Sequence, residues 1–197
     1  MKQAILAIGL LTSMSSFAAE QVQNNVTYSL TAGYVFGGET ILDVTYTNDD
    51  TKSIKSGQGI VLGAGLSYEL NEEWAIDVSA NYHADTARSK QGDISFERFA
   101  FNAISYYNIN ESFSAGLGLG LHTAVELNND LGADVSFDNE IAYIASVKYH
   151  FETLSADLEL RHTRAEYDLD RIGRADFSGS NITFDGNNTG VLFHWKF

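Results

Sequence analysis

The fold is decided by the last nine residues of the chain, Thr189-Gly190-Val191-Leu192-Phe193-His194-Trp195-Lys196-Phe197. Side chains alternate between the two faces of a β-strand. The apolar face of this stretch carries Val191, Phe193, Trp195 and Phe197. The other face is mostly polar and carries His194 and Lys196. Such a strand fits a soluble sandwich, which would bury the aromatic face, or a membrane barrel, which would turn it towards lipid.

Seven earlier segments show the same period of two, and most have the roughly 9–11 residues that a tilted strand needs to cross a bilayer. They span residues 26–37, 59–70, 74–83, 99–109, 113–122, 141–151 and 154–161. The connections alternate between short turns, at 71–73, 110–112 and 152–153, and long loops. We predict that the first long loop is a hairpin that projects beyond the membrane and turns at 48–50. The pattern predicts an all-β fold, an eight-stranded antiparallel up-and-down transmembrane β-barrel with short periplasmic turns and long extracellular loops.

Composition agrees with a continuous sheet. The chain has no Pro, which would interrupt a ladder of hydrogen bonds, and it has 10 Tyr and 12 Phe, which suit pleated surfaces. It also has no Cys, so disulfide frameworks and thiolate sites are excluded. Twelve basic against 26 acidic residues give a formal net charge of −14, which argues against nucleic acid as a partner. We expect neither a cofactor nor a resident metal.

The first residues read as an export signal. Lys2 supplies the positive start, residues 5–11 form a short apolar run, and Ser16-Phe17-Ala18 offers small residues for cleavage. The apolar run is too short to cross a bilayer as a helix, which takes about 20 residues. We predict a cleaved signal peptide at 1–18, or alternatively 1–19, followed by a single barrel domain over 19–197.

Aromatic residues gather at the ends of the apolar faces, beside the short turns, as an interfacial girdle should. They are Tyr68, Trp74, Tyr107, Phe113, Tyr149, Phe151, Trp195 and Phe197. With the signal and the terminal Phe, this layout resembles the small eight-stranded outer-membrane barrels of Gram-negative bacteria, of the OmpA-transmembrane, OmpW and OmpX type. The resemblance implies an outer-membrane location. It also implies that Phe193, Trp195 and Phe197 form the assembly signal read by the barrel-assembly machinery.

Eight strands enclose an interior about wide enough for side chains to fill, so we expect a lumen plugged by polar residues. The predicted lumen charge network consists of Glu69, Asp77, Lys148, His150, Asp157, Glu159, Arg161, His194 and Lys196. If Phe151 and Leu154 flank the tight turn, Lys148 falls opposite Asp157. Tyr106 should lie opposite Gly116 and fill the space that the glycine leaves.

Two upper-lumen histidines, His83 and His122, suggest an alternative. With Glu126 or Asp85 nearby they could form a general base or a metal pair, as in a lipid A-modifying enzyme. The chain lacks the His-x-Ser-Asn arrangement of the lipid A deacylases, because its nearest segment reads Arg161-His162-Thr163-Arg164. We therefore expect no enzymatic activity.

The loops supply the remaining candidate contacts. Their carboxylates, among them Asp85, Asp130 and Asp176, could bind divalent cations that bridge to lipopolysaccharide, although solvated charge is the simpler explanation. Basic residues near the strand tops, including Arg98 and Arg164, could contact lipopolysaccharide phosphates directly. The overall prediction is a monomeric outer-membrane barrel that serves envelope integrity or surface interaction. A narrow channel or lateral port for small or hydrophobic molecules remains the first alternative.

Overall fold

The computed structural model describes residues 25–45, 51–88, 92–130 and 132–197, which form β-strands joined by turns and loops. The strands are β1 (Val26–Gly37), β2 (Thr40–Thr45), β3 (Thr51–Lys55), β4 (Gly59–Glu69), β5 (Trp74–Arg88), β6 (Asp93–Asn108), β7 (Phe113–Asn129), β8 (Val135–Phe137), β9 (Glu140–Phe151), β10 (Ala156–Arg164), β11 (Glu166–Ile172), β12 (Ala175–Asp176), β13 (Thr183–Asp185) and β14 (Asn188–Lys196). The predicted signal peptide and the turn at 48–50 lie outside the described residues. No helix in the described ranges could span a membrane.

Eight of these strands close into a barrel in the order β1, β4, β5, β6, β7, β9, β10 and β14, and every neighbouring pair is antiparallel. The last strand forms the seam. It pairs with β1 from Ser29↔Lys196 to Gly37↔Asn188 and with β10 from Ala156↔Trp195 onwards. The predicted eight-stranded up-and-down barrel is confirmed, and β14 leaves neither of its edges open.

Alternation along each barrel strand separates an outer from an inner face. On β14 the outward residues Val191 and Trp195 are 46% and 58% exposed, whereas Leu192 and His194 are 1% and 6% exposed. The other barrel strands likewise expose large apolar side chains on the outside. Because the barrel turns these residues outward rather than into a core, its surface suits the hydrocarbon region of a bilayer.

Aromatic pairs ring the outer surface near the short-turn end. The ring centroids of Trp74 and Tyr107 are 5.1 Å apart, as are those of Phe113 and Tyr149. Tyr28 stacks on the terminal residue Phe197 at 6.3 Å. Further aromatic pairs, Tyr34 with Phe36 and Tyr82 with Phe99, lie towards the long-loop end. Two such girdles mark the positions of the two membrane interfaces.

The turns at 70–73 and 109–112 share one construction. The Asn71 side chain accepts hydrogen bonds from the backbone N–H groups of Glu73 and Trp74, and Asn110 does the same for Ser112 and Phe113, all at 2.9 Å. An Asn side chain that bonds its own backbone two residues on is a common turn device. These two short turns therefore owe their shape to local hydrogen bonds.

The third short turn corrects one prediction. It contains residues 152–155, so Phe151 pairs with Ala156 and not with Leu154. The longer turn shifts the register by two residues. Lys148 consequently lies opposite Glu159, and Asp157 lies opposite His150.

Strands β5, β6 and β7 have 15, 16 and 17 residues and extend past the long-loop ends of their neighbours, further than the sequence pattern predicted. The pairing of β6 with β7 shifts between Glu97 and Phe99, where Ala124 adopts a positive φ of 48°. This bulge reverses the alternation of β7. Beyond it, Val125 and Leu127 face inward and Glu126 faces outward.

The inward residues beyond the bulge build an apolar core inside the long-loop end, which we call the apolar cap. Its members are Ile54, Ala87, Ile94, Phe96, Val125, Leu127, Phe137, Ala142, Ala165, Tyr167 and Leu169. Phe96 packs against Phe137 and Tyr167 with ring centroids 5.9 and 6.0 Å apart. The expectation of an interior filled by polar residues is therefore wrong for this half of the barrel.

The first hairpin folds onto the barrel, a contact that the sequence did not predict. Strands β2 and β3 form a separate two-stranded sheet, and Ile54 of β3 is fully buried in the apolar cap. At the base of the hairpin, Ser56 N–H donates to the Glu39 carbonyl at 3.0 Å, and Glu39 N–H donates to the Asp185 carbonyl at 2.8 Å. Through Glu39, backbone hydrogen bonds thus link the hairpin to the last long loop, which contains Asp185.

Tyr106 lies opposite Gly116, as expected. A Cβ at Gly116 would come within 2.6 Å of the Tyr106 ring and 2.9 Å of Ile104. Gly116→Ala should therefore lower the free energy of unfolding by about 1–3 kcal/mol, as over-packing usually does. Urea titration of the protein refolded in micelles, followed by tryptophan fluorescence, measures the change.

The matched control is Ala115→Val, one residue away on the outer face of the same strand, where added methyl groups meet only lipid or detergent. The explanation by crowding fails if Gly116→Ala unfolds at the same urea concentration as the wild type, or if both variants lose equal stability.

Candidate functional site

The centre of the interior is organised around Glu159, whose side chain is fully buried. Its carboxylate accepts hydrogen bonds from Arg161 at 2.7 and 2.9 Å, from His194 Nε2 at 2.6 Å and from the Tyr106 hydroxyl at 3.0 Å. Thr31 Oγ1 lies 2.9 Å from the other nitrogen of His194. These contacts engage strands β1, β6, β10 and β14, so one carboxylate joins distant walls of the barrel.

A second ion pair crosses the interior next to this centre. Lys148 on β9 donates to the Asp77 carboxylate on β5. The Lys148 ammonium also lies 4.1 Å from the centroid of the Tyr106 ring. Since Tyr106 contacts Glu159 by its hydroxyl and Lys148 by its ring face, it couples the two groups of charges.

The short-turn end holds a third group, formed around Asp157. Its carboxylate accepts hydrogen bonds from His150 at 2.8 Å and from Lys196 at 2.7 Å. These residues line an open cavity of about 560 Å³. Glu69 lies at the cavity mouth, exposed, and forms no ion pair with another described residue. The structure thus places every member of the predicted charge network except Glu69 in one of three contacting groups, around Glu159, Asp77 and Asp157.

The upper-lumen histidines lie beneath the apolar cap, and each is only 2% exposed. His122 Nδ1 lies 2.7 Å from the Tyr167 hydroxyl. Glu126, one proposed acid partner, faces outward beyond the bulge. Asp85, the other, is engaged by the Lys55 backbone N–H at 3.2 Å and the Lys52 ammonium at 3.4 Å. Neither histidine is paired with a carboxylate in the described structure.

Arg98 corrects another expectation, because it points into the interior and is 4% exposed. Its guanidinium donates to the Ser56 carbonyl and lies 5.9 and 5.5 Å from the ring centroids of Phe96 and Tyr167. Arg98 therefore supports the base of the first hairpin from inside and is too buried to reach lipopolysaccharide phosphates.

Several loop carboxylates bind loop backbone. Asp130 accepts a hydrogen bond from the Asp93 N–H at 3.0 Å, and Asp134 accepts one from the Asn129 N–H at 2.9 Å. The Ser178 hydroxyl and N–H both donate to Asp176 and lower the pKa of its carboxyl. No group of three or more His, Asp or Glu side chains suited to a metal occurs in the described ranges. These carboxylates act as turn acceptors.

The sequence analysis did not name two buried partners of the network, Thr31 and Ser146. It placed Tyr106 on the inner face without a role in the network, and it did not identify Arg98 as a buried cation. A usable signal was present for Arg98. The inward parity of the fourth predicted strand, extended backwards from Ala100, places Arg98 and Phe96 on the inner face. Thr31 and Ser146 also had the right parity but carry no charge to draw attention.

Loss of Glu159 should leave Arg161 and His194 buried without an acceptor. We expect Glu159→Ala to lower the free energy of unfolding by about 3–5 kcal/mol, the range found when one partner of a buried ion pair is removed. Urea titration in micelles gives the value. Asp170→Ala is the control, because it removes only peripheral contacts, with Arg171 at 3.4 Å and with the Ser136 hydroxyl at 3.1 Å, which should contribute about 1 kcal/mol or less each. Equal losses in the two variants would contradict a central role for Glu159.

Comparison with known proteins adds three findings. A family model described as an outer membrane protein beta-barrel domain matches residues 4–197. No curated protein matches the sequence significantly. Among solved structures, Neisserial surface protein A is similar with a TM-score of 0.51 and 13% identity over 88% of this chain and 97% of that one. The attachment invasion locus protein Ail of Yersinia pestis, solved with the heparin analogue sucrose octasulfate, has a TM-score of 0.47 and 16% identity over 87% and 99%. At these identities the similarity to Neisserial surface protein A speaks for the fold alone.

Proposed function

Because this chain belongs to the outer-membrane β-barrel family, matched over residues 4–197, we propose that it is a monomeric, non-catalytic barrel with a closed lumen. Its role is to stabilise the envelope and to present its long loops at the cell surface. The short turns then lie at the periplasmic side and the long loops outside. Export uses residues 1–18 or 1–19 as a cleaved signal peptide.

The proposal of a closed lumen rests on one observation, which is that side chains fill both halves of the barrel interior. The periplasmic half is crossed by the Glu159 and Lys148 ion pairs. The extracellular half contains the apolar cap, in which Phe96, Val125 and Tyr167 have no exposed surface. A permeating ion would have to displace both a hydrogen-bonded charge network and a packed apolar core.

Planar-bilayer recordings test this proposal. The wild-type protein should give no reproducible single-channel steps. The double variant Tyr106→Ala/Phe96→Ala lacks one bulky side chain in each half of the interior. Its recordings should show current steps that are absent from those of the wild type. Regular steps from the wild type would overturn the closed lumen and favour the narrow channel, for which the open periplasmic cavity of about 560 Å³ would be the entrance.

The position of the histidines supports the absence of catalysis. A lipid A-modifying site needs groups that lipid can reach, whereas His83 and His122 lie on the inner face under the apolar cap. Mass spectrometry of lipid A from cells with and without the protein should show no difference. A mass change that His83→Ala abolishes would reverse this conclusion.

Contact with lipid and lipopolysaccharide follows from the outer surface. At the extracellular rim, His162 and Arg164 are exposed on the outer face of β10. They suit lipopolysaccharide phosphates, whereas acidic loop residues would need divalent cations as bridges. A loss of lipopolysaccharide co-purification in Arg164→Gln, with Arg171→Gln in the loop as the control, would support this contact.

The C-terminal residues Phe193, Trp195 and Phe197 form the proposed assembly signal. Phe197 already has a structural role, because its N–H and carbonyl form hydrogen bonds with Tyr28 at 3.0 and 3.2 Å. Deletion of Phe197 should reduce the folded protein in the outer membrane several-fold in cells and leave refolding in micelles nearly intact. If both fall equally, the residue serves stability and not recognition by the assembly machinery.

A further inference from the structure

Three neighbouring side chains inside the barrel have polar atoms that are buried and have no hydrogen-bond partner. They are the Nε of Arg98, both ring nitrogens of His83 and the Oδ1 of Asn81. His83 and Arg98 lie directly opposite each other on β5 and β6, and Asn81 is the next inward residue along β5. Buried polar atoms almost always have partners, so a cluster of exceptions indicates a missing component.

The charge of Arg98 is also uncompensated by the protein. None of the ion pairs in the described structure includes Arg98. The nearby Asp85 is engaged by Lys52 and the Lys55 N–H. Contacts with the Ser56 carbonyl, the Tyr167 hydroxyl and two aromatic faces stabilise the cation but leave its positive charge in place. Arg161, the other buried arginine, has Glu159 as its anion.

The His83 ring faces this cation without offering it a negative charge. His83 is close enough to Arg98 and His122 to interact with both electrostatically, and the Gln58 backbone approaches the ring. That approach does not have hydrogen-bond geometry. The Tyr167 hydroxyl contacts both Arg98 and His122. Burial raises the pKa of this hydroxyl to about 12, so Tyr167 stays neutral and supplies no negative charge. A free imidazole N–H and the free guanidinium Nε–H are thus two donors on adjacent strands.

We propose that these donors hold a small monovalent anion of the halide class between Arg98 and His83. The ion would neutralise the buried guanidinium and give both orphaned donors an acceptor. The site is enclosed, since the two residues are 4% and 2% exposed, and this favours a single small ion over an oxyanion such as phosphate.

The direct experiment uses the wild-type protein refolded and crystallised in sodium bromide, with data collected at the bromine absorption edge. An anomalous peak within hydrogen-bond distance of Arg98 Nε and the His83 ring is expected. A water molecule there without anomalous signal, or no density, would overturn the proposal, because water cannot neutralise the guanidinium. This experiment is independent of whether the lumen conducts.

Stability measurements supply a second test. The thermal unfolding midpoint in micelles is compared in sodium chloride, sodium bromide and sodium sulfate of equal ionic strength. A ligand that binds only the folded state raises the midpoint with its concentration. Wild type should gain several degrees in the halides relative to sulfate, and Arg98→Met should lose that gain.

Arg161→Met is the matched control, because it removes the buried arginine that already has a carboxylate. It should unfold at a lower temperature and keep the halide-dependent gain. If Arg98→Met does not fold, His83→Phe replaces it and should reduce the gain. An equal response to sulfate and halides in the wild type would contradict a specific site.

Discussion

The structure depends on one constraint, which is that every backbone N–H and C=O group inside a bilayer needs a partner within the protein. A sheet meets this requirement only when its last strand returns to its first. Here β14 pairs on one side with β10 and on the other with β1, and the terminal Phe197 extends the seam by two hydrogen bonds to Tyr28. Closure also fixes which face of every strand is inside.

A barrel closed by eight strands has a narrow interior, and this narrowness explains which side chains fill it. Large side chains fit only opposite small ones, as Tyr106 does opposite Gly116. Charged groups in so confined a space lose much of their hydration, so they are retained by binding one another. Glu159 satisfies this need for Arg161 and His194, whereas Arg98 has no such protein partner.

The two halves of the barrel interior are filled by different kinds of side chain. The half at the short-turn end opens to solvent through a cavity and carries charged side chains. The half at the long-loop end lies inside the extensions of β5, β6 and β7, where the hairpin of β2 and β3 covers it with Ile54. The apolar cap gives the loops a rigid base, because the strands that carry the loops are held by side-chain packing inside the barrel as well as by backbone hydrogen bonds between strands.

The sequence by itself determined the strand alternation, the inward and outward faces and the partners of the closing strand, because a period of two and short turns are local properties. It could not determine that the last short turn has four residues, which moves Lys148 opposite Glu159. Nor could it locate the bulge at Ala124 that turns Glu126 outward and Val125 inward. Those features, like the burial of Arg98 and the folding of the hairpin over the barrel, arise from packing between residues distant in the chain, and only the tertiary structure decides them.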